Sequence, residues 1–337
     1  VIRVAVVGFG YWGPNLVRNA IANDDLELVV VADIDKDKLS RCNRLYPSVP
    51  TSIDIEEVIT EKSIDAIIIA TPVHTHFNLC KLSLEAGKHV LVEKPFASSS
   101  IECLELVTLA EAKNLTIMVD HTFLYSPAVQ VIKEKIQSGE IGKLTYFDST
   151  RINLGLFQND VNVIWDLAPH DLSILFAITQ KIPCRVLANG KSHEGEQENI
   201  AYMTLQYDDD FIAHFHFSWI SPVKVRRTFI GGNQKMIVYD DVEPTEKVKI
   251  YDSNYKVLES KEQQKEKLYE YRIGDIHVPK IRNSEPLAAV MRDFSHSIRN
   301  RSEPVSNSKI GLNVIKVIEA AQVSIELGGA AVEVDLL

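Results

Sequence analysis

The stretch that decides the fold is Val4-Ala5-Val6-Val7-Gly8-Phe9-Gly10-Tyr11-Trp12-Gly13-Pro14-Asn15. A β-branched run, Ile2 to Val7, leads into three glycines with G-x-G-x-x-G spacing, and a helix-period segment, Asn15 to Ala22, follows them. Gly8 permits a tight turn, Gly10 lets backbone approach a pyrophosphate, and Gly13 lets the helix pack closely on the strand. Pro14 suits a helix's first turn. The next strand-like run ends in Asp33, 20 residues after Gly13, where a carboxylate can accept hydrogen bonds from ribose hydroxyls. Together these predict a dinucleotide-binding βαβ unit. Asp33 would repel a 2′-phosphate, so NAD is expected over NADP, with Lys36 and Lys38 pulling the other way. Phe9, Tyr11 and Trp12 are bulky for such a loop and read as lids on the cofactor or on a second domain.

Outward from this unit, strand-like runs at Glu27 to Ala32, Asp65 to Ala70, His89 to Val92 and Thr116 to Val119 alternate with helical periods. The helical periods fall at Asp37 to Leu45, Thr75 to Ala86 and Ser98 to Ala112. Such alternation predicts a parallel sheet covered on both faces. Beyond about residue 122 the pattern changes to a helix at Pro127 to Gln137, a second beginning near Asp166, and then successive alternating strands. Those strands include Leu144 to Arg151, Ala201 to Tyr207, Phe211 to Trp219, Arg227 to Ile230 and Lys235 to Tyr239. Two late helices, Glu285 to Ile298 and Lys309 to Leu327, complete the pattern. The predicted architecture is an α/β Rossmann domain with a parallel sheet, residues 1–121, then an α+β domain with a mainly antiparallel open-faced sheet, residues 122–337. The Lys256 to Lys267 run reads as a solvated hairpin or loop without chemistry.

The composition suits two globular domains: 337 residues, 45% hydrophobic and 24% charged, which excludes a disordered or disulfide-stapled chain. A net charge of −10 disfavours nucleic acid and anionic membrane surfaces as partners. Cys42, Cys80, Cys103 and Cys184 form no C-x-x-C pair, and with no secretory or membrane-spanning run the expectation is reduced thiols in a cytoplasmic chain.

Three further segments carry chemistry. Ala70-Thr71-Pro72-Val73-His74-Thr75-His76 follows one buried strand, Glu93-Lys94-Pro95 follows the next, and Asp166-Leu167-Ala168-Pro169-His170-Asp171 opens a helix. With these, essentially the whole chain resembles the glucose–fructose oxidoreductase, inositol dehydrogenase and rhizopine catabolism (Gfo/Idh/MocA) family. The E-K-P motif is matched by Glu93, Lys94 and Pro95, and the D-x-x-x-H motif by Asp166 and His170. The resemblance implies hydride exchange between a nicotinamide and a sugar or cyclitol carbon, with lysine and histidine beside the reacting hydroxyl. It also implies a frequently cis proline after the lysine, and homodimers or homotetramers built through the C-terminal sheet. Gly10 to Asn15 and Trp165 to Asp171 look most like members that act on sugar nucleotides, at C3 of UDP- or dTDP-linked sugars.

The residues also speak for themselves. Alcohol oxidation needs a base or relay within reach of the hydroxyl. Asp166 and His170 are four apart, on one helix face if Asp166 begins the helix, so the carboxylate can orient the imidazole; Pro169 in the first turn fits that start. Lys94 stands where open α/β sheets bind ligands and can polarise the oxygen or share its proton. The catalytic set is therefore Lys94, His170 and Asp166. The cofactor set is Gly8, Phe9, Gly10, Tyr11, Trp12, Gly13, Asp33, Thr71, Pro72, His76, Glu93 and Lys94. Thr71, Pro72 and His76 are read as helix-entry residues near the nicotinamide, in preference to a metal site at His74 and His76.

Substrate contacts are expected from Lys94, Arg151, Asn153, Asp166 and His170. A diphosphate would need a basic rim, for which Arg151, Lys224, Arg226, Arg227, Lys280 and Arg282 are candidates. His214 and His216 fall on the polar face of their strand, directed to solvent or another subunit. The alternatives are an inositol or free-sugar dehydrogenase, and a non-catalytic NAD-binding regulator, which retention of Lys94, Asp166 and His170 opposes.

Overall fold

The computed structural model describes residues 1–155, 157, 161–258 and 268–334. They form two compact units: Val1–Ser126 with Ser284–Glu319, and Pro127–Asn283 with Ala320–Leu337.

The first unit begins with β1 (Ile2–Val7), α1 (Gly13–Ile21), β2 (Leu26–Ala32), α2 (Lys36–Leu45), β3 (Thr51–Ser52) and α3 (Ile55–Thr60). It continues through β4 (Ala66–Ile69), α4 (Val73–Glu85), β5 (His89–Glu93), α5 (Ser100–Lys113) and β6 (Ile117–Asp120). The strands lie in the order β3-β2-β1-β4-β5-β6, all parallel. Order reverses between β1 and β4, which places a ligand crevice at their carboxyl ends. Every residue of β4 (Ala66, Ile67, Ile68, Ile69) is buried, as a strand covered on both faces requires. The helices are fixed by side-chain caps: Asp35 accepts from the N–H of Asp37 and Lys38, Asp54 from Glu57 and Ser99 from Glu102. β3 and α3 were not expected; two and six residues are too short for periodicity to register.

In the second unit, α6 (Pro127–Gln137) precedes β7 (Leu144–Leu154), α7 (Val163–Thr179), β8 (Arg185–Lys191), β9 (Ile200–Gln206), β10 (Ile212–Ser218), β11 (Ile220–Gly232) and β12 (Met236–Asp240). Then come β13 (Val248–Tyr251), β14 (Asn254–Leu258), β15 (Leu268–Arg272) and β16 (Ile276–His277). Nine strands order as β16-β13-β12-β11-β7-β10-β9-β8-β17, where β17 is Val332–Glu333. All neighbours are antiparallel except β7 and β10. Alternation along β10 buries Ala213, Phe215 and Phe217 and leaves His214 and His216 half-buried on the other face. Of the Lys256 to Lys267 run, residues 256–258 belong to the β14–β15 hairpin, and residues 259–267 lie outside the described residues.

Between β16 and β17 come α8 (Pro286–Asn300) and α9 (Ser308–Glu326). A single boundary at 121/122 is corrected here, because α8 and most of α9 complete the first core. Tyr125 Oη donates to Asp293 at 2.5 Å, Glu285 accepts from Asn19 at 3.0 Å and pairs with Arg18, and Val119 N–H meets Ser306 O at 3.2 Å. An amphipathic helix shows in sequence that it buries a face, but not against which core. No helix among the described residues is long and apolar enough to cross a membrane.

Candidate functional site

The glycine loop has the form that its spacing implies. Gly8 adopts φ +99°, and a Cβ there would lie 2.4 Å from Ala70 O. One on Gly13 would lie 2.4 Å from Gly8 O, whereas one on Gly10 would meet nothing within 4 Å. The two outer glycines are therefore demanded by the protein itself, and the middle one leaves open the space that a pyrophosphate would use. The helix α1 starts at Gly13 with Pro14 in its first turn, presenting its N-terminal dipole to the same loop. Asp33, only 5% exposed, accepts from Phe9 N–H at 2.7 Å through Oδ2 and from Asp35 N–H at 2.9 Å through Oδ1. Its carboxylate thus ties the end of β2 to the glycine loop while each oxygen keeps a further lone pair. Lys38 approaches it to 3.8 Å. These residues fit a dinucleotide.

The three bulky loop residues do not behave alike. Phe9 is fully buried and is part of the core beneath the loop, which corrects its reading as a lid. Tyr11 is 89% exposed and Trp12 37%.

Across the switch point, Thr71 and Thr75 hydroxyls meet at 2.6 Å and Thr75 Oγ1 donates to Pro72 O at 2.7 Å, so exposed Pro72 begins α4 as its N-cap. His76 is 1% exposed; Nδ1 lies 2.8 Å from Pro95 O and Nε2 2.8 Å from Thr71 O. Burial lowers its pKa against the pull of those carbonyls. Its imidazole therefore clamps the β4–α4 turn to the turn after β5. Lys94 follows β5 directly, and the Lys94–Pro95 peptide is cis. Beside it, β6 ends in Asp120, and His121 follows; both are buried titratable residues that belong to none of the motifs. They stand at the same carboxyl edge as Lys94, the signal by which they could have been found.

In the second unit, α7 starts earlier than expected. Asn162 is the N-cap, its Oδ1 accepting from Ile164 and Trp165 N–H at 3.1 and 3.2 Å. Asp166 falls within the first turn rather than opening the helix, and Pro169 is inside the helix, where it removes the N–H that would bond to the carbonyl four residues back. Asp166 and His170 still share a face at i, i+4. The Trp219 indole donates to Asp166 Oδ2 at 3.1 Å.

Arg151 corrects the basic rim. It is 3% exposed and grips Asp171 with Nε to Oδ2 at 3.0 Å and Nη2 to Oδ1 at 2.6 Å. Along β7, Phe147, Ser149 and Arg151 fall on the buried face, so the guanidinium points at α7 rather than water. Arg226 and Arg227 are likewise paired, with Asp241 at 3.3 Å and Asp240 at 2.7 Å. Lys224, Lys280 and Arg282 are exposed and Asn153 is half-buried.

A parallel sheet in this strand order, a glycine turn shaped for pyrophosphate and an acid after β2 define a dinucleotide-binding protein. Residues 2–121 match the oxidoreductase family with an NAD-binding Rossmann fold, GFO/IDH/MocA, and residues 129–238 match the C-terminal domain of the same family. The chain belongs to the GFO/IDH/MocA oxidoreductases. It is similar to the UDP-N-acetylglucosamine 3-dehydrogenase of Acidithiobacillus ferrooxidans, with 28% identity over 235 residues, 67% of this chain and 70% of that one. The solved structure of that enzyme shares the fold with a TM-score of 0.83 over 97% of this chain and 98% of its own, at 21% identity. GenD2 from gentamicin A biosynthesis, solved in complex with NAD, shares it with a TM-score of 0.82 at 18% identity, covering 99% of this chain and 96% of its own. An uncharacterized oxidoreductase of Escherichia coli, YdgJ, is 31% identical over 182 residues. That match takes in 50% of this chain and spans about half, 51%, of the relative's length.

Proposed function

We propose that the chain is an NAD(H)-dependent enzyme that oxidises a secondary alcohol of a sugar, or reduces the ketone, with a nucleotide-linked sugar reacting at C3. The observation that carries the reading is Lys94 at the carboxyl end of β5, in the same sheet edge as the glycine loop and Asp33. Gly8 to Gly13, Asp33, Thr71 and Pro72 would hold the dinucleotide, which when bound supplies the hydride acceptor or donor. Lys94 polarises the substrate oxygen, and His170 takes or returns the hydroxyl proton, as an imidazole placed within reach of that oxygen can. Asp166, fixed by Trp219, orients the imidazole.

The nucleotide-sugar assignment draws support from the UDP-N-acetylglucosamine 3-dehydrogenase relative. With Arg151, Arg226 and Arg227 already paired, Lys224, Lys280 and Arg282 are the exposed members of the candidate rim that would meet a diphosphate. Self-association is proposed through the sheet face of the second unit that carries Tyr146, Tyr202 and Ile212, which are 37%, 46% and 45% exposed and lie on neighbouring strands, Ile212 paired with Tyr146 and His216 with Tyr202. The test follows NADH absorbance with UDP-sugars, dTDP-sugars, inositol and free hexoses, using single turnovers in case cofactor stays bound. Turnover of a nucleotide sugar is expected. Turnover of inositol or a free hexose with none of any nucleotide sugar would move the chain to the polyol branch.

A further inference from the structure

β5 and β6 are parallel neighbours, and their final residues, Glu93 and Asp120, are register partners. In such a pair the two side chains leave the sheet on the same side, about one strand spacing of ~4.8 Å apart. Glu93 Oε1 and Asp120 Oδ2 are both sealed from solvent, and neither meets a donor among the described residues. Two acceptor-only groups buried side by side would leave both oxygens unsatisfied and two like charges unscreened. One proton between them removes both penalties.

We propose that Glu93 is a neutral carboxylic acid donating its O–H to the Asp120 carboxylate, and that the single negative charge of this pair positions the Lys94 side chain. The donors around the pair decide which partner keeps the proton. Burial raises the Asp120 carboxyl too, but it is opposed by hydrogen bonds from Thr122, whose Oγ1 donates to Oδ1 at 2.7 Å, from Glu93 and from the Trp12 indole, and by the Lys94 charge. For Glu93, burial and the Asp120 charge outweigh Lys94 and push the carboxyl well above its usual range.

The other groups facing the pair are His121 and Tyr125. The buried His121 imidazole has its pKa pushed down to about 3 by burial and by Lys94, so it is neutral. The Tyr125 hydroxyl donates to Asp293 and feels the Asp120 charge. One net negative charge thus stands beside Lys94. Both residues are positioning groups: they act on substrate only through Lys94. Trp12 makes the link reach the glycine loop, so the lysine and the cofactor turn share one anchor.

The positioning role rests on the proposed function; the shared proton does not. Infrared spectra of protein carrying 13C-carboxyl glutamate, without cofactor or substrate, are expected to show a protonated-carboxyl C=O band at neutral pH. The band should shift with the label and vanish in Glu93→Gln. Its absence from the parent protein overturns the shared proton.

Lys94 is then read by its rate of acylation with an amine-reactive ester, quantified by mass spectrometry. Asp120→Asn made together with Glu93→Gln removes the pair's charge without leaving Glu93 to ionise in its place, and should raise the rate severalfold. Glu93→Gln alone keeps a neutral donor to Asp120 and should stay within about twofold. An unchanged rate in the double variant overturns the positioning role, whichever substrate the enzyme proves to use. With a verified substrate, the double variant should lower kcat more than Glu93→Gln does.

Discussion

The buried ion pair between Arg151 and Asp171 separates a structural from a ligand-binding arginine. Both side chains are 3% exposed and two hydrogen bonds of 3.0 and 2.6 Å join them. Asp171→Asn removes the carboxylate that makes both of these bonds to the guanidinium, in a site that water barely reaches, leaving Asp241 as a weaker counter-charge. Breaking one side of such a pair costs about 3–5 kcal/mol, and the lower bound already changes the unfolding equilibrium roughly a hundredfold. Replacing both partners, Arg151→Met with Asp171→Leu, removes the poorly compensated charge as well as the pair. The double variant should therefore be more stable than Asp171→Asn by about 2 kcal/mol or more.

Urea unfolding followed by tryptophan fluorescence is suited to this, since Trp165 and Trp219 lie in the second unit and Trp12 in the first. If Arg151 instead gripped a diphosphate, Arg151→Met would leave the transition in place and weaken nucleotide-sugar binding by about 1.5–3 kcal/mol, the value of a charged hydrogen bond. A shift below about 1 kcal/mol in both single variants would refute the reasoning from burial.

The remaining predictions follow the first unit and the proposed catalytic groups. Lys94→Ala and His170→Ala should each lower turnover by about 10² or more with NAD affinity nearly unchanged, and Asp166→Asn should cost less; intact turnover in both alanine variants would remove the assignment. Asp33→Ala should narrow the preference for NAD over NADP, measured by titration, and a parent protein that prefers NADP would contradict it. Gly10→Ala should bind NAD at least tenfold more weakly with its melting temperature held, because its Cβ enters open space. Gly13→Ala should lower the melting temperature, because its Cβ meets Gly8 O at 2.4 Å. His121 is neutral when folded, with its pKa down near 3. The unfolded chain therefore binds the extra proton between about pH 6.5 and 3, and stability falls as pH falls through that window, by up to ~1.4 kcal/mol per unit. His121→Gln should flatten that slope in denaturant titrations at pH 6.5 and 4.5.

What the sequence disclosed and what it withheld divide along the range of the interactions. The first βαβ unit was legible because the glycine turn, the strand before it and the acid after β2 are local, each fixed by backbone geometry within a few residues. The start of α7 was misplaced because Asn162 and Asp166 are both good caps, and Pro169 drew the start towards itself. Arg151 was read as rim because arginine ordinarily faces water. Yet the alternation Phe147, Ser149, Arg151 already put it on the buried side of β7. Only its partner, 20 residues away on α7, needed the fold.

The end of β6 shows why the richest part of the first unit's sheet edge stayed hidden. Lys94 was found through a motif, but Asp120 and His121 belong to none, and Asp120 is 27 residues beyond Glu93 in the chain. Their meeting depends on β5 and β6 being neighbours and on the register that aligns Glu93 with Asp120. A one-residue slip would send Asp120 to the opposite face of the sheet. The apolar residues before them, Val-Leu-Val in β5 and Ile-Met-Val in β6, fix that register by burying both strands. The hydrophobic runs that form the core thus also bring two acids together, in a place where only one of them can be charged.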